Sequence, residues 1–179
     1  MKIILIGPMN VGKSTVARLL AVRLGIPRHS LDQNRWGYFK EIGFDEDHAR
    51  QLYETESIEA ALHYCKPFEV HAVERHLAEH CDGVIDFGAG YSVQKDPMLQ
   101  ERIRRALAPY LNVILMLPYS DDDASIACLN DRTAENLRGI NEEYIRDSVN
   151  RSLAKLVVYT HGRTAEETCD DIVRVLLVQ

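Results

Sequence analysis

The sequence predicts an α/β fold built on a parallel sheet, and three observations carry that expectation. Apolar runs of strand length alternate with longer segments of helical spacing along the 179 residues, the order that strands joined by crossover helices produce. The strand-like runs are apolar throughout, as in Val113-Ile114-Leu115-Met116-Leu117, which is what strands covered by helices on both faces require. A glycine-bracketed loop, Gly7 to Ser14, joins the first run to the first helical segment.

Taken in order, strands are expected at 2–6, 27–30, 83–87, 111–117 and 156–160, and helices at 13–24, 46–64, 68–81, 97–107, 121–130, 141–153 and 164–177. Val16, Leu19, Leu20 and Leu24 stand at helical spacing, and Gly25 is a natural C-terminal stop. Thr164 followed by Glu166 and Glu167 marks the last helix start, because carboxylates suit the positive end of a helix. Asp121, Asp122 and Asp123 read the same way, as the cap of the next helix and not as a cation site.

Composition narrows the function. With 21 Lys+Arg against 27 Asp+Glu the net charge is −6, and the isoelectric point near 5.6 lies far from the value above about 9 that marks a nucleic-acid footprint. Partners of duplex or anionic-membrane type are therefore not expected. Cys65, Cys81, Cys128 and Cys169 form no CxxC pair and fit reduced thiols in the cytosol. No apolar run reaches the roughly 18 residues of a membrane span. No repeat or linker interrupts the chain, so a single domain over 1–179 is expected, as a monomer.

Gly7-Pro8-Met9-Asn10-Val11-Gly12-Lys13-Ser14 fits G-x-x-x-x-G-K-[ST] between a strand and a helix, the context that gives this motif its meaning. The glycines permit a loop whose N–H groups, with the helix N-terminus, make an anion nest. Gly7, Asn10, Val11, Gly12, Lys13, Ser14 and Thr15 form the nucleotide-binding set; Lys13 is placed to reach the β- and γ-phosphates and Ser14 to ligate Mg²⁺. No Asn-Lys-x-Asp stretch of a GTPase is present, and motor or transporter ATPases are usually larger. A small-molecule kinase leads, with ATP and Mg²⁺ as cofactors.

Beyond the loop, almost the whole chain resembles shikimate kinase and its relatives in the nucleoside-monophosphate-kinase group of P-loop proteins. The resemblance implies a five-stranded parallel sheet ordered 2-3-1-4-5, a substrate-binding region over about 33–81 and a lid over about 121–140. Where the family carries Asp-x-Asp after the second strand, this chain has Ser30-Leu31-Asp32. The retained Asp32 is implied to bind the acceptor hydroxyl, as base or positioning group; an ordinary helix cap is its plain alternative. Gly88-Ala89-Gly90 stands at the family's glycine triplet, against the acceptor, and Asp86 closes the third strand as a Mg²⁺-holding Asp would. Arg132 and Arg138 fall on the lid arginines that neutralise the transferred phosphoryl, Arg132 counted as catalytic with Lys13 and Asp32. Arg146 matches the arginine that grips the substrate carboxylate, and Gly162 and Arg163 lie in the adenine-contacting loop.

The departures shape the expected acceptor. Phe68-Glu69 stands where the family has Phe-Arg, so a carboxylate replaces a carboxylate ligand. With Ser30 at the lost Asp, this points to an ATP-dependent kinase of a small hydroxylated metabolite that is not shikimate-specific. The alternatives are a nucleoside or nucleotide kinase, an antibiotic phosphotransferase, or a nucleotide-binding regulatory protein. Trp36, Tyr38 and Phe39 either stack on a substrate ring or form core under the substrate region. His76-Leu77-Ala78-Glu79-His80 fits a metalloprotease pattern, but without a third ligand it reads as a polar helix face.

Overall fold

The computed structural model describes residues 1–177, apart from the side chain of Asn136; the last two positions of the expected 1–179 unit lie outside the described residues. Its centre is β1 (Lys2–Ile6), buried from Ile3 onward because helices cover both of its faces. β1 pairs in parallel with β3 (Gly83–Asp86) on one side and β4 (Val113–Leu117) on the other. β2 (Arg28–Ser30) and β5 (Leu156–Tyr159) complete the order β2-β3-β1-β4-β5 that the resemblance implied. In register, Ser30 and Leu5 both lie beside Asp86. The strand order reverses direction on either side of β1, so the carboxyl ends of β1 and β3 open onto a crevice, where such sheets bind ligands.

Around the sheet run α1 (Lys13–Leu24), α2 (Leu31–Glu41), α3 (Glu46–Thr55), α4 (Ile58–Glu79), α5 (Pro97–Leu107), α6 (Asp122–Asn130), α7 (Arg138–Arg146), α8 (Ser148–Leu153) and α9 (Ala165–Leu176). The helices differ from expectation in three places. α2 was not anticipated, because Asp32, Asn34, Gly37 and the aromatics around them are weak helix formers. It forms because Phe39 stacks its ring among Phe44, Phe68 and Trp36, with centroids 5.1–5.8 Å apart. The break between α3 and α4 falls at Glu56–Ser57, where the Ser57 hydroxyl caps Ala60 N–H, and α4 continues through Pro67 instead of ending before it. The single helix expected over 141–153 is two, split at Asp147, whose carboxylate accepts from Asn150 N–H at 2.6 Å. Asp121 caps α6, and Thr164 and Glu167 close a capping box on α9, as read from the sequence.

Among the described residues no group of three His, Cys, Asp or Glu side chains converges, at His76 and His80 or elsewhere. His76 is fully buried and, with His80, packs on His29 of β2; Tyr38 O–H lies 3.3 Å from its Nδ1 and donates to Glu79 at 2.6 Å. No helix among the described residues is long and apolar enough to cross a membrane.

Candidate active site

Between Ile6 and Lys13 the chain must turn from the end of β1 into α1 beside β4. Gly7 (φ 143°) approaches so closely that a Cβ would come within 2.5 Å of the Met116 carbonyl oxygen. Asn10 is the one non-glycine residue with positive φ among the described residues, at 63°, a conformation that asparagine tolerates better than most residues. Its side chain helps to hold it there, donating to Arg132 O and to Thr133 Oγ1, both at 3.0 Å. Met9 N–H donates to the buried Asn141 Oδ1 at 3.0 Å, and Asn141 Nδ2 in turn reaches Thr133 Oγ1. The phosphate loop is thereby tied to the segment that follows α6.

Lys13 is buried, and its ammonium donates to Gly7 O at 2.8 Å and Pro8 O at 2.7 Å. No carboxylate lies within ion-pair distance among the described residues. Burial lowers its pKa to about 8, opposed in part by the more distant charges of Asp32 and Asp86. This is an ammonium held in a dry site without a counter-charge, an arrangement that favours an incoming anion. Met9, Asn10, Gly12, Lys13, Ser14 and Thr15 line one open cleft together with Asp32, Phe87, Gly88 and Ala89; Val11 points into the core.

Across the cleft, Asp32 sits in the first turn of α2, while Ser30 occupies the N-cap position. Asp32 is therefore not the cap; its carboxylate is half exposed and lies against Gly88, where a Cβ would overlap Asp32 Oδ1 and the Tyr91 ring. Gly90 (φ 88°) is equally constrained, since a Cβ there would overlap the Tyr144 hydroxyl. Beneath this loop, Lys66 Nζ donates to Glu69 Oε2 at 3.0 Å and to Gly90 O and Val93 O, each at 3.2 Å. Burial raises the Glu69 pKa, and Lys66 counters the shift.

Not every residue read from the sequence is free to act as expected. Asp86 was assigned to Mg²⁺, but it is buried and both its oxygens accept from Arg28, at 2.9 and 2.8 Å. Arg146 was assigned to a substrate carboxylate, but it lies exposed at the end of α7, bound to Asp123 at 2.6 Å and Glu142 at 3.1 Å. Neither lines the cleft, and neither do Gly162 and Arg163. Arg163 pairs with Asp171, and Gly162 follows His161, whose ring stacks on Tyr119 at 4.1 Å. Arg132 and Arg138 are exposed and have no carboxylate partner among the described residues; Arg138 Nε donates to Asn130 O. Trp36 is half exposed under the Arg35 guanidinium, 4.5 Å from its ring centroid.

Four participants escaped the sequence reading: Arg28, which occupies Asp86; Lys66, which occupies Glu69; and Thr133 and Asn141, which anchor the phosphate loop. Lys66, three positions before Glu69, carries the one sequence signal; Arg28 meets Asp86 from 58 positions away, and Thr133 and Asn141 carry none.

No family model matches the chain. Shikimate kinase of Streptomyces coelicolor is 31% identical over 169 residues, which cover 92% of this chain and 89% of that protein. The chain belongs to the shikimate kinase family. It is thus a P-loop phosphotransferase whose acceptor is an alcohol group. The Streptomyces avermitilis shikimate kinase aligns at 29% identity, covering 98% of this chain and 95% of its own length. Among solved structures, shikimate kinase from Acinetobacter baumannii in complex with shikimate superposes with a TM-score of 0.65 at 21% identity, covering 99% of this chain and 93% of that one. A gluconokinase from Sinorhizobium meliloti gives 0.61 at 14%, covering 99% and 91%. At those identities the two structures speak for the fold alone.

Proposed function

We propose that this kinase transfers the γ-phosphoryl group of ATP, with Mg²⁺, to a hydroxyl of a small metabolite that carries no carboxylate, and that shikimate is a poor acceptor. One observation carries the reading: neither position at which the family grips a substrate carboxylate, Glu69 or Arg146, offers a free guanidinium. Glu69 stands at the family's arginine position and is buried against Lys66, while Arg146 is held by Asp123 and Glu142. A carboxylate entering beside Glu69 would meet like charge in a partly desolvated site.

The residues present fit a nucleoside triphosphate. The Gly7–Gly12 loop is a backbone anion nest, and Lys13 is a buried ammonium whose two present partners are carbonyls that phosphate oxygens can replace. The Ser14 hydroxyl is open to the cleft for Mg²⁺. The Asp86 oxygens are shared with Arg28, so it would serve only through water, and Asp32, 3.6 Å from the Arg35 guanidinium, is the carboxylate that lines the cleft. MgATP supplies the phosphoryl group, and the protein positions it. Asp32 accepts the acceptor's hydroxyl proton or aims its oxygen, Gly88 and Ala89 let the acceptor approach the backbone, and Arg132 and Arg138 close from the lid to neutralise charge. Gly162 and Arg163 border the adenine.

The test is ADP release with pooled hydroxylated metabolites, shikimate included. Neutral polyols or sugars should give turnover and shikimate little. Shikimate turnover with kcat/KM on the order of 10⁴ M⁻¹s⁻¹ or more would overturn the reading.

A further inference from the structure

Arg35 lies one helical turn beyond Asp32 on α2, and none of the roles implied by the family falls on it. Its guanidinium comes within 3.6 Å of Asp32 Oδ1. Both groups keep an open side, with 38% of the Arg35 side chain and 51% of the Asp32 side chain exposed. A pair at this separation and exposure adds little to stability. Its use lies in direction: a cation that is itself held in place gives a neighbouring carboxylate a fixed partner to face.

Arg35 is held in place from three sides. The Trp36 ring lies under it, with the ring centroid 4.5 Å from Cζ. The Tyr91 hydroxyl faces it from the loop after β3, and the Glu69 carboxylate faces it from α4. Arg35 Nε is covered and makes no hydrogen bond among the described residues, so the terminal nitrogens carry its polar contacts. Tyr91 and Glu69 are buried. Glu69 is anchored in turn by Lys66 at 3.0 Å, and Lys66 by the Gly90 and Val93 carbonyls. The charges therefore alternate along a row, Lys66, Glu69, Arg35 and Asp32, that begins beneath the glycine loop and ends at the cleft. On its other flank Asp32 meets the backbone of Gly88, where a Cβ would overlap Asp32 Oδ1 and the Tyr91 ring. The carboxylate is thus bracketed between a glycine and a guanidinium. Glu69, which stands where the family has an arginine, has a task of its own in this chain: it is a counter-charge for the cation that faces Asp32.

We propose that Arg35 is a positioning residue for phosphoryl transfer, which holds the Asp32 carboxylate in the orientation that meets the acceptor hydroxyl and acts through that carboxylate alone. The inference rests on the reading that Asp32 serves the acceptor.

The assay is ADP release from MgATP with the pooled hydroxylated metabolites above, titrated as one mixture to give an apparent kcat and KM, beside MgATP affinity measured by titration. Arg35→Met keeps the length of the side chain and its contact with Trp36 but drops the charge. It should lower kcat by about tenfold to a hundredfold, since misplacing a reacting group costs up to about 10²-fold, and it should leave KM and MgATP affinity unchanged. Arg35→Lys, which returns the charge without the planar fork, should restore part of the loss. In the Asp32→Asn background Arg35→Met should cost nothing more, because groups that act as a unit are not additive. A wild-type kcat in Arg35→Met overturns the proposal. So does a raised KM at unchanged kcat, which would make Arg35 a ligand of the acceptor, and so does an equal loss in the Asp32→Asn background. Asp32→Asn alone separates the two readings. If it is impaired and Arg35→Met is not, this inference fails and the role of Asp32 stands. If it turns over at the wild-type rate, the reading of Asp32 fails and this inference with it. Should Arg35→Met not fold, Arg35→Gln, which keeps a polar group at this partly exposed position, is measured in the same way.

Discussion

Lys13, buried in the phosphate cleft, and Lys66, partly buried under the Gly90 loop, are partnered in opposite ways. Lys13 lies against two backbone carbonyls with no carboxylate in contact, and Arg132 and Arg138 beyond it are also unpaired among the described residues. Lys66 is bound to Glu69, Arg28 to Asp86, and Arg146 to Asp123 and Glu142. On the proposed reading the nucleotide end keeps its positive charge available, while Lys66 and Glu69 on the acceptor wall close on each other and Arg28 and Arg146 are spent outside the cleft. An end with uncompensated cations is built for a polyanion; a wall of closed ion pairs selects by shape and hydrogen bonding.

The sharpest way to break this contrast is Lys13→Ala. Charge neutralisation on a transferred phosphoryl is worth about 10³–10⁵-fold, so turnover should fall on the order of 10³-fold or more. The melting temperature should not drop, because a desolvated ammonium is removed. Wild-type phosphorylation by the variant would remove the nucleotide end from the argument. Asp32→Asn comes next. It should lower transfer by about 10²-fold, the low end for loss of a general base because the transition state is loose, while ATP affinity measured by titration stays the same. An unchanged kcat would leave Asp32 without a part in the chemistry.

Two pH experiments sharpen the contrast further. With Lys13 lowered to about 8, ATP affinity should be flat below that pH. Above it, affinity should decline by at most about tenfold per pH unit, the limit for uptake of one proton. Lys13→Arg should remove the decline, and a flat wild-type profile to pH 9.5 would show that Lys13 stays charged. On the far side of the acceptor wall, burial pushes the pKa of His76 down to about 4, with His80 adding to the shift. An unfolded histidine titrates near ~6.5, so the unfolded chain binds the extra proton between those values. The stability that His76 contributes is complete above about 6.5 and is lost as the pH falls toward 4, by at most about 1.4 kcal/mol per pH unit. Denaturant unfolding at pH 7 and pH 5 measures it, and the slope should lessen in His76→Phe; an identical slope in the variant would acquit this histidine.

Legibility in the sequence followed the same division. The phosphate loop could be read because its requirements are local: glycines at the φ-restricted positions, then Lys13 and Ser14 at a helix start. The sheet order came through the resemblance, and the buried runs placed its strands. What could not be read are partnerships made by the fold. Arg28 and Asp86 are 58 positions apart and meet only because β2 lies beside β3. Lys66 reaches Gly90 across 24 positions. The expected helices stop at 64 and resume at 68, on either side of Pro67, yet tertiary packing carries α4 past it, and α2 forms from weak helix formers for the same reason.

The hydrogen bonds that join Met9 and Asn10 to Asn141, Thr133 and Arg132 have a consequence for timing. Any phosphate that draws the Met9 amide or the Asn10 backbone toward itself must loosen or drag contacts on a segment more than 120 residues away in sequence. Arrival of the nucleotide is thereby felt in the piece of chain that carries Arg132 and Arg138, without a messenger between them. Such a connection works in both directions: whatever holds that segment in place also tunes how tightly the loop closes on its anion. On the proposed reading, departure of the spent nucleotide would relax the same contacts that hold the arginine segment.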